Sequence, residues 1–308
     1  MSTGWVAASV RAHGLARRRL GDAGIEAVAR SSSLDDALGL VAAGPYGRST
    51  HPDMDLPDAQ RAVLSSLLWH LRVLAGWGPP LSAGSLQALA GGFEIADVVE
   101  HLARLDGRQV PAPFSLGALS TAWPRVRRAE SPVAVRAVLA SSAWGDPGTV
   151  DPGALELALQ LRWAARVADV PGAGAWARAG AALVVARVAA VGAVPELTPP
   201  ARRAARRLLG SAWERATSLE SLAAVLPRDV RTVFADVHGR DDLWRAEVAF
   251  VDFLEEGASR LARGPVTEPA TSVGVAGLLV ADAWRTAAAL ALAARTERSP
   301  EGLFDALA

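Results

Sequence analysis

Apolar residues along this chain recur at intervals of three and four, the spacing that lines one face of a helix. Ala59, Ala62, Val63, Leu67, Leu71 and Leu74 follow this spacing, and Asp55-Leu56-Pro57-Asp58 supplies a start signal, so a helix is predicted over 58–75. Ala154 to Val170 behaves the same way after Asp151-Pro152, and Leu243 to Leu261 does so before a Gly264-Pro265 stop. Further helices are predicted over 93–104, 176–187 and 273–295. Breaks fall at Gly76-Trp77-Gly78-Pro79-Pro80, Pro111-Ala112-Pro113, Pro171-Gly172-Ala173-Gly174 and Pro199-Pro200. Nowhere does the chain show the strict alternation or β-branched enrichment of a strand. The pattern predicts an all-α protein.

Within this pattern a short block recurs three times. It reads Ser33-Leu34-Asp35-Asp36-Ala37-Leu38-Gly39-Leu40-Val41, then Ser131-Pro132-Val133-Ala134-Val135-Arg136-Ala137-Val138-Leu139, then Ser218-Leu219-Glu220-Ser221-Leu222-Ala223-Ala224-Val225-Leu226. Each opening suits the cap of a first helical turn. Ser33 with Asp36 and Thr217 with Glu220 have capping-box spacing, and Ser131 precedes a proline at a position where no helical bond is lost. Counting from each serine, the residues one, four, seven and eight places on are apolar or proline, which predicts one buried face per copy. The first two copies run on to an aromatic-glycine pair, Tyr46-Gly47 and Trp144-Gly145, whereas the third ends at Pro227. The copies lie roughly ninety to a hundred residues apart, too far for a solenoid of short repeats. The spacing suits three related helical domains, at 1–108, 109–195 and 196–308.

Composition narrows the class. The 308 residues carry zero formal net charge, so no global field favours nucleic acid. Lys, Asn and Cys are absent, which removes disulfides and thiolate metal sites. The first twenty residues carry Arg11, His13 and Arg17 to Arg19 without an apolar run, unlike a signal peptide. Two stretches, 177–194 and 276–295, are apolar enough to suggest membrane spans, but Arg187 interrupts one and Asp282 and Arg285 the other. A mid-span charge costs about 2.5–3.5 kcal/mol on insertion scales, so both are read as buried helices of a soluble protein.

Little in the chain points to catalysis. Without Lys there is no phosphate-cradling loop of the usual kind, and neither H-E-x-x-H nor G-x-S-x-G occurs. His51 beside Asp53 and Asp55 reads as a solvated loop rather than a metal site. Asp241-Asp242 before a helix has the look of a Mg²⁺-diphosphate motif, but such chemistry needs a second carboxylate or amide motif facing it. The pair is therefore read as an acidic helix start. Trp69, Trp123, Trp163, Trp213, Trp244 and Trp284, about one per helix, are expected to be core anchors. Arg17-Arg18-Arg19 and Arg202, Arg203, Arg206 and Arg207 are basic helix clusters, solvated or available to acidic partners and headgroups. No catalytic, cofactor-binding or metal-binding residue is assigned, and no cofactor is expected.

Trp5 and Ala8-Ser9-Val10-Arg11-Ala12 are followed in order by Leu20, the Ser33 helix and Pro45-Tyr46-Gly47. Further on come the helix Phe93 to Arg104, the segment Pro113 to Leu119 leading into Ser131, and Glu156 and Glu247 on long helices. Val273 to Arg295 and the tail Pro300 to Leu307 come last. In this order of motifs the chain resembles the C/d subunit family of V-type and archaeal-type rotary ATPases, with Asp97 or Ala182 near the family's Asn positions. The resemblance implies a funnel of three pseudo-symmetric helical domains with a mechanical, non-enzymatic role. Its implied partners are the central-stalk rotor subunits and the membrane proteolipid (c) ring, which it would couple for ion transport, with the proton as the expected ion. It implies one monomeric copy per complex, on the cytoplasmic face and peripheral to the membrane. A repurposed helical adaptor with the same fold is the alternative, and a Mg²⁺-dependent terpene synthase-like enzyme a more distant one.

Overall fold

A computed structural model of the chain describes residues 3–78, 80–191, 196–264 and 269–298. Among the described residues every regular element is helical and no strand occurs. In chain order the α-helices begin with α1 (Thr3–Ala16), α2 (Gly21–Ala29), α3 (Leu34–Ala42), α4 (Leu56–Trp77) and α5 (Pro80–Leu89). Next come α6 (Gly91–Leu105), α7 (Trp123–Val126), α8 (Pro132–Ala140), α9 (Pro152–Val167) and α10 (Gly174–Val191). The chain continues with α11 (Pro199–Leu209), α12 (Leu219–Val225), α13 (Leu243–Ala262) and α14 (Pro269–Arg298). The long helices lie within a few residues of the ranges their apolar spacing predicts. Trp5 lies on α1, although its side chain is outside the described residues, as is the tail Pro300 to Leu307.

The three serines cap as their sequence suggests. Ser33, Ser131 and Ser218 are all extended, at φ/ψ of −145/164°, −153/155° and −146/164°. Each hydroxyl accepts from the backbone N–H three residues on, at Asp36, Ala134 and Ser221. Two details differ from expectation. The third helix is capped by Ser218 with Ser221 in a reciprocal box, not by Thr217 with Glu220. Asp36 turns its carboxylate to the Ser32 hydroxyl at 2.7 Å, so the first box is only half made.

The buried face is also narrower than predicted. Positions four and eight after the serine are buried in all three copies: Ala37 and Val41, Val135 and Leu139, Leu222 and Leu226. Position seven is not, with Leu40 at 45% and Val225 at 37% exposure. At about 100° per residue, positions four and eight sit together while position seven falls at the edge of their arc.

Between these helices the order of elements recurs. A helix, a short helix, a serine-capped helix, a long helix and a further helix follow one another as α1 to α5 and again as α6 to α10. From α11 to α14 the same order returns, with a 3-10 turn at Ala212–Arg215 in place of the short helix.

Two compact units form, one from the chain up to Trp77 with that from Ala258 onward, the other from Gly78 to Gly257. The expected domain boundaries, after 108 and after 195, both fall within the sequence range of the second unit, and residue 195 itself is outside the described residues. In the first unit α14 packs against α1, α2, α3 and α4, burying Leu38, Val63, Leu71, Val273 and Leu290. Among the described residues, the stretch Ala270–Arg295 of this helix is long and apolar enough to cross a membrane, with a window of mean hydropathy 1.5. Within the structure 61% of that window is buried. In the second unit α9 packs against α5, α6, α10 and α11 around Leu155, Leu159, Leu161 and Ala205.

The glycines of the two aromatic-glycine pairs answer to different constraints. A Cβ on Gly47 would fall 2.0 Å from the carbonyl oxygen of Ala42, so the turn after α3 has no room for a side chain. Gly145 instead has φ +73°, a left-handed conformation that costs other residues strain.

Candidate functional site

Three buried carboxylates, Asp282, Glu94 and Asp97, hold the structure around the first two serine-capped helices. In the first unit Asp282, 3% exposed at mid-α14, accepts from the backbone N–H of Gly21 through Oδ1 at 2.9 Å. Its Oδ2 accepts from Leu20 N–H at 3.1 Å and from the Tyr46 hydroxyl at 2.7 Å. One carboxylate thus ties the start of α2 and the aromatic after α3 to the closing helix. Around it Leu15, Arg18, Arg19, Leu67 and His70 line a cavity of ≈ 10 Å³, the size of a single water. Burial raises the Tyr46 pKa far above the ordinary tyrosine value, and the Asp282 charge adds to this. Burial lowers the pKa of His70, against the opposing pull of Asp282.

In the second unit α6 carries a polar stripe on a buried face. Glu94 is fully buried and accepts from Thr121 N–H at 2.8 Å, Trp123 N–H at 2.5 Å and Ala122 N–H, all at the start of α7. One turn on, Asp97 accepts from Phe114 N–H at 2.9 Å, and His101 Nε2 donates to the carbonyl oxygen of Ala129 at 2.9 Å. At 94, 97 and 101 the spacing is that of one helix face, so α6 positions the whole segment that leads into Ser131. Nearby, the Arg166 guanidinium lies 4.7 Å from the Trp144 ring and donates to the Thr121 hydroxyl. Burial lowers the Arg166 pKa, against the opposing Glu94 charge.

Sequence reasoning missed the buried roles of Asp282, Glu94 and Asp97. Asp282 registered only as a charge in an apolar run. The available signals were that isolation in an apolar run and the i, i+3, i+7 spacing of Glu94, Asp97 and His101.

Other residues singled out in the sequence scatter. Asp241 and Asp242 lie in an exposed 3-10 turn before α13, where Asp242 pairs with Arg245 at 3.2 Å. His51 and Asp53 are exposed, and Asp55 caps α4 by accepting from Asp58 N–H at 2.9 Å. Among the described residues no three His, Asp or Glu side chains converge where they could hold a metal ion. Glu156 accepts from Gln160, and Glu247 accepts from Arg187 at 2.7 Å. Arg17 and Arg18 are exposed, while Arg19 donates to the Ala16 carbonyl oxygen.

The tryptophans divide. Trp123 is buried and Trp69, Trp163 and Trp213 are half-buried, but Trp244 is 57% and Trp284 38% exposed, so those two are not core anchors. Trp284 shares the exposed side of α14 with Leu292 and Arg295, and Trp244, near the start of α13, has Arg245 5.0 Å over its ring.

On α11 the arginines occupy one face and Ala201, Ala204, Ala205 and Leu208 the other. Arg206 pairs with Glu214 at 2.7 Å and Arg207 with Asp169 at 2.6 Å, which neutralises part of the cluster. Between α9, α11 and the loop at 144–148 opens a cleft of ≈ 410 Å³ with Arg162, Arg203 and Arg207 on its lining. Compared with known proteins, the chain matches no family model and no curated sequence.

Proposed function

We propose that this chain is the non-catalytic coupling subunit of a V-type or archaeal-type rotary ATPase, joining the central rotor stalk to the membrane proteolipid ring for proton transport. The reading rests on the order and spacing of its motifs. The observation that carries it furthest is the serine-capped helix built three times with one cap geometry and the same two buried positions. The recurrent element order supports three pseudo-symmetric helical domains forming a funnel from a single chain. So does the repeated device of a buried acid at the start of the preceding short helix, Asp282 for α2 and Glu94 for α7.

Such a part works by transmitting torque and needs stiffness rather than chemistry. Buried carboxylates that each tie several backbone donors, together with tightly packed turns, supply local rigidity. In this role the subunit sits on the cytoplasmic face, peripheral to the membrane, with one copy per complex.

Co-expression with the stalk and proteolipid subunits, followed by pull-down and mass measurement, tests the proposal. A monomer that co-purifies with the stalk at one copy per complex is expected. A stable homodimer with affinity for neither partner would overturn it in favour of the repurposed adaptor, because a closed homo-oligomer covers the surfaces that the stalk and ring need.

A further inference from the structure

The cleft between α9 and α11 joins an apolar floor to a basic rim, and the coupling role makes no use of it. Its floor is apolar, formed by Ala158, Leu159, Ala165 and Ala204, and its rim carries Arg162, Arg203 and Arg207. The loop at its mouth is held in place. The Thr198 hydroxyl at the start of α11 donates to the Pro147 carbonyl oxygen at 2.7 Å, and Gly145 lies alongside the Arg162 guanidinium.

Charge on the lining is one-sided. Asp146 is the acidic residue of the cleft, and it already accepts two bonds from Arg136 at 2.8 and 3.0 Å and one from Gly148 N–H at 2.9 Å. Those bonds hold its carboxyl down at about 2, so it stays ionised and engaged. Among the described residues no carboxylate forms an ion pair with Arg162 or Arg203. Arg207 does pair with Asp169, but with side-chain exposures of 55% and 64% such a pair exchanges readily with solvent or another anion. A volume of ≈ 410 Å³ lies within the range of small-molecule sites.

We propose that the cleft bounded by Arg162, Arg203 and Arg207 binds a small organic anion bearing two or more phosphate or carboxylate groups. Planar guanidinium forks bind both groups through paired N–H bonds, and the alanine floor accepts the ligand's apolar body. The proposal stands apart from the rotary assignment, since Arg162, Arg203 and Arg207 carry none of the motifs behind that reading.

Titration calorimetry of the full chain with inorganic pyrophosphate, and separately with citrate, tests it. Saturable binding of at least one probe at one equivalent is expected, weakening as salt is raised. The Arg162→Gln and Arg203→Gln variants should each lose about ten-fold in affinity. A control variant, Arg17→Gln/Arg18→Gln, should bind as the parent does. Tighter pyrophosphate binding would identify a phosphate ligand, and tighter citrate binding a carboxylate. Two results would overturn the site: no saturable binding of either probe by the parent chain, or binding that both cleft variants retain. Parent-like thermal unfolding of the variants would show that any loss is local.

Discussion

The Tyr46 hydroxyl donates to Asp282 Oδ2 at 2.7 Å, joining two residues 236 positions apart in the chain. That bond fixes the aromatic of the first serine-capped block to the closing helix, and the same carboxylate holds Leu20 and Gly21 at the start of α2. Replacing Asp282 should therefore loosen three elements together. Asp282→Ala leaves three donors unmet, each costing about 1–3 kcal/mol when buried. Asp282→Asn can keep the two bonds at Oδ2 but turns an amide N–H toward Gly21 N–H, and Tyr46→Phe loses a single bond worth about 1 kcal/mol. Urea unfolding should rank the losses Asp282→Ala, then Asp282→Asn, then Tyr46→Phe. Equal midpoints for Asp282→Ala and the parent would refute the assigned role.

Tyr46 is the single tyrosine of the chain, so its ionisation can be followed without interference. Its folded pKa is raised, by burial first and then by Asp282. A raised pKa contributes stability that is fully present below the unfolded value, about 10, and is lost as pH rises beyond it. Tyrosinate absorbance should stay flat through pH 10 in the folded protein and appear together with loss of helical circular dichroism. A tyrosinate signal that titrates near pH 10 with the helix intact would show that the hydroxyl is not held as described.

His70 works in the opposite direction. Burial lowers its folded pKa despite Asp282, so the unfolded chain binds the proton more readily than the fold. Its contribution is present above the unfolded value, about 6.5, and falls away as the solution is acidified through it. The drop in urea midpoint between pH 7.5 and pH 5.5 should shrink in His70→Gln. An unchanged drop would assign the acid sensitivity to other groups.

Glu94 accepts from three consecutive backbone donors, at Thr121, Ala122 and Trp123. Glu94→Gln keeps the shape but exchanges one accepting oxygen for a donor, which should cost about 1–3 kcal/mol. Hydrogen exchange should report the site, with amides 121–123 losing protection well before those of α9. Uniform loss of protection across the second unit would instead mean that α7 has no separate stability.

Two glycines should respond with opposite signs. Gly47→Ala drives a Cβ against the Ala42 carbonyl and should destabilise by about 1–3 kcal/mol. Gly180→Ala, inside α10 with nothing within 4 Å of the added carbon, should stabilise by about 0.5–1 kcal/mol. Thermal unfolding of the two variants checks both, and a gain from Gly47→Ala would contradict the turn geometry.

Helices, caps and breaks were legible in the chain because each depends on bonds and contacts within a few residues. Ser131 with Pro132 and Asp151 with Pro152 cap as their spacing implies, for the donor that each serves lies three residues away. Even the shift from Thr217 to Ser218 is local, a choice between adjacent side chains that both suit a cap. The threefold block was equally visible, since an apolar position repeats whether or not its neighbours are known.

What the chain alone could not decide is which polar groups go inside and which aromatics stay out. Asp282 draws its partners from 236, 261 and 262 positions away, and no local pattern names them. Trp284, two residues further along the same helix, stays 38% exposed because rotation of α14 against α4 and α2 turns it from the core. The arginine cleft arises the same way, from residues of α9 and α11 that meet only once the helices pack. Local hydrogen bonding thus determined the elements, whereas burial, which sets the energy of every charge, was decided by partners that only the tertiary structure brings together.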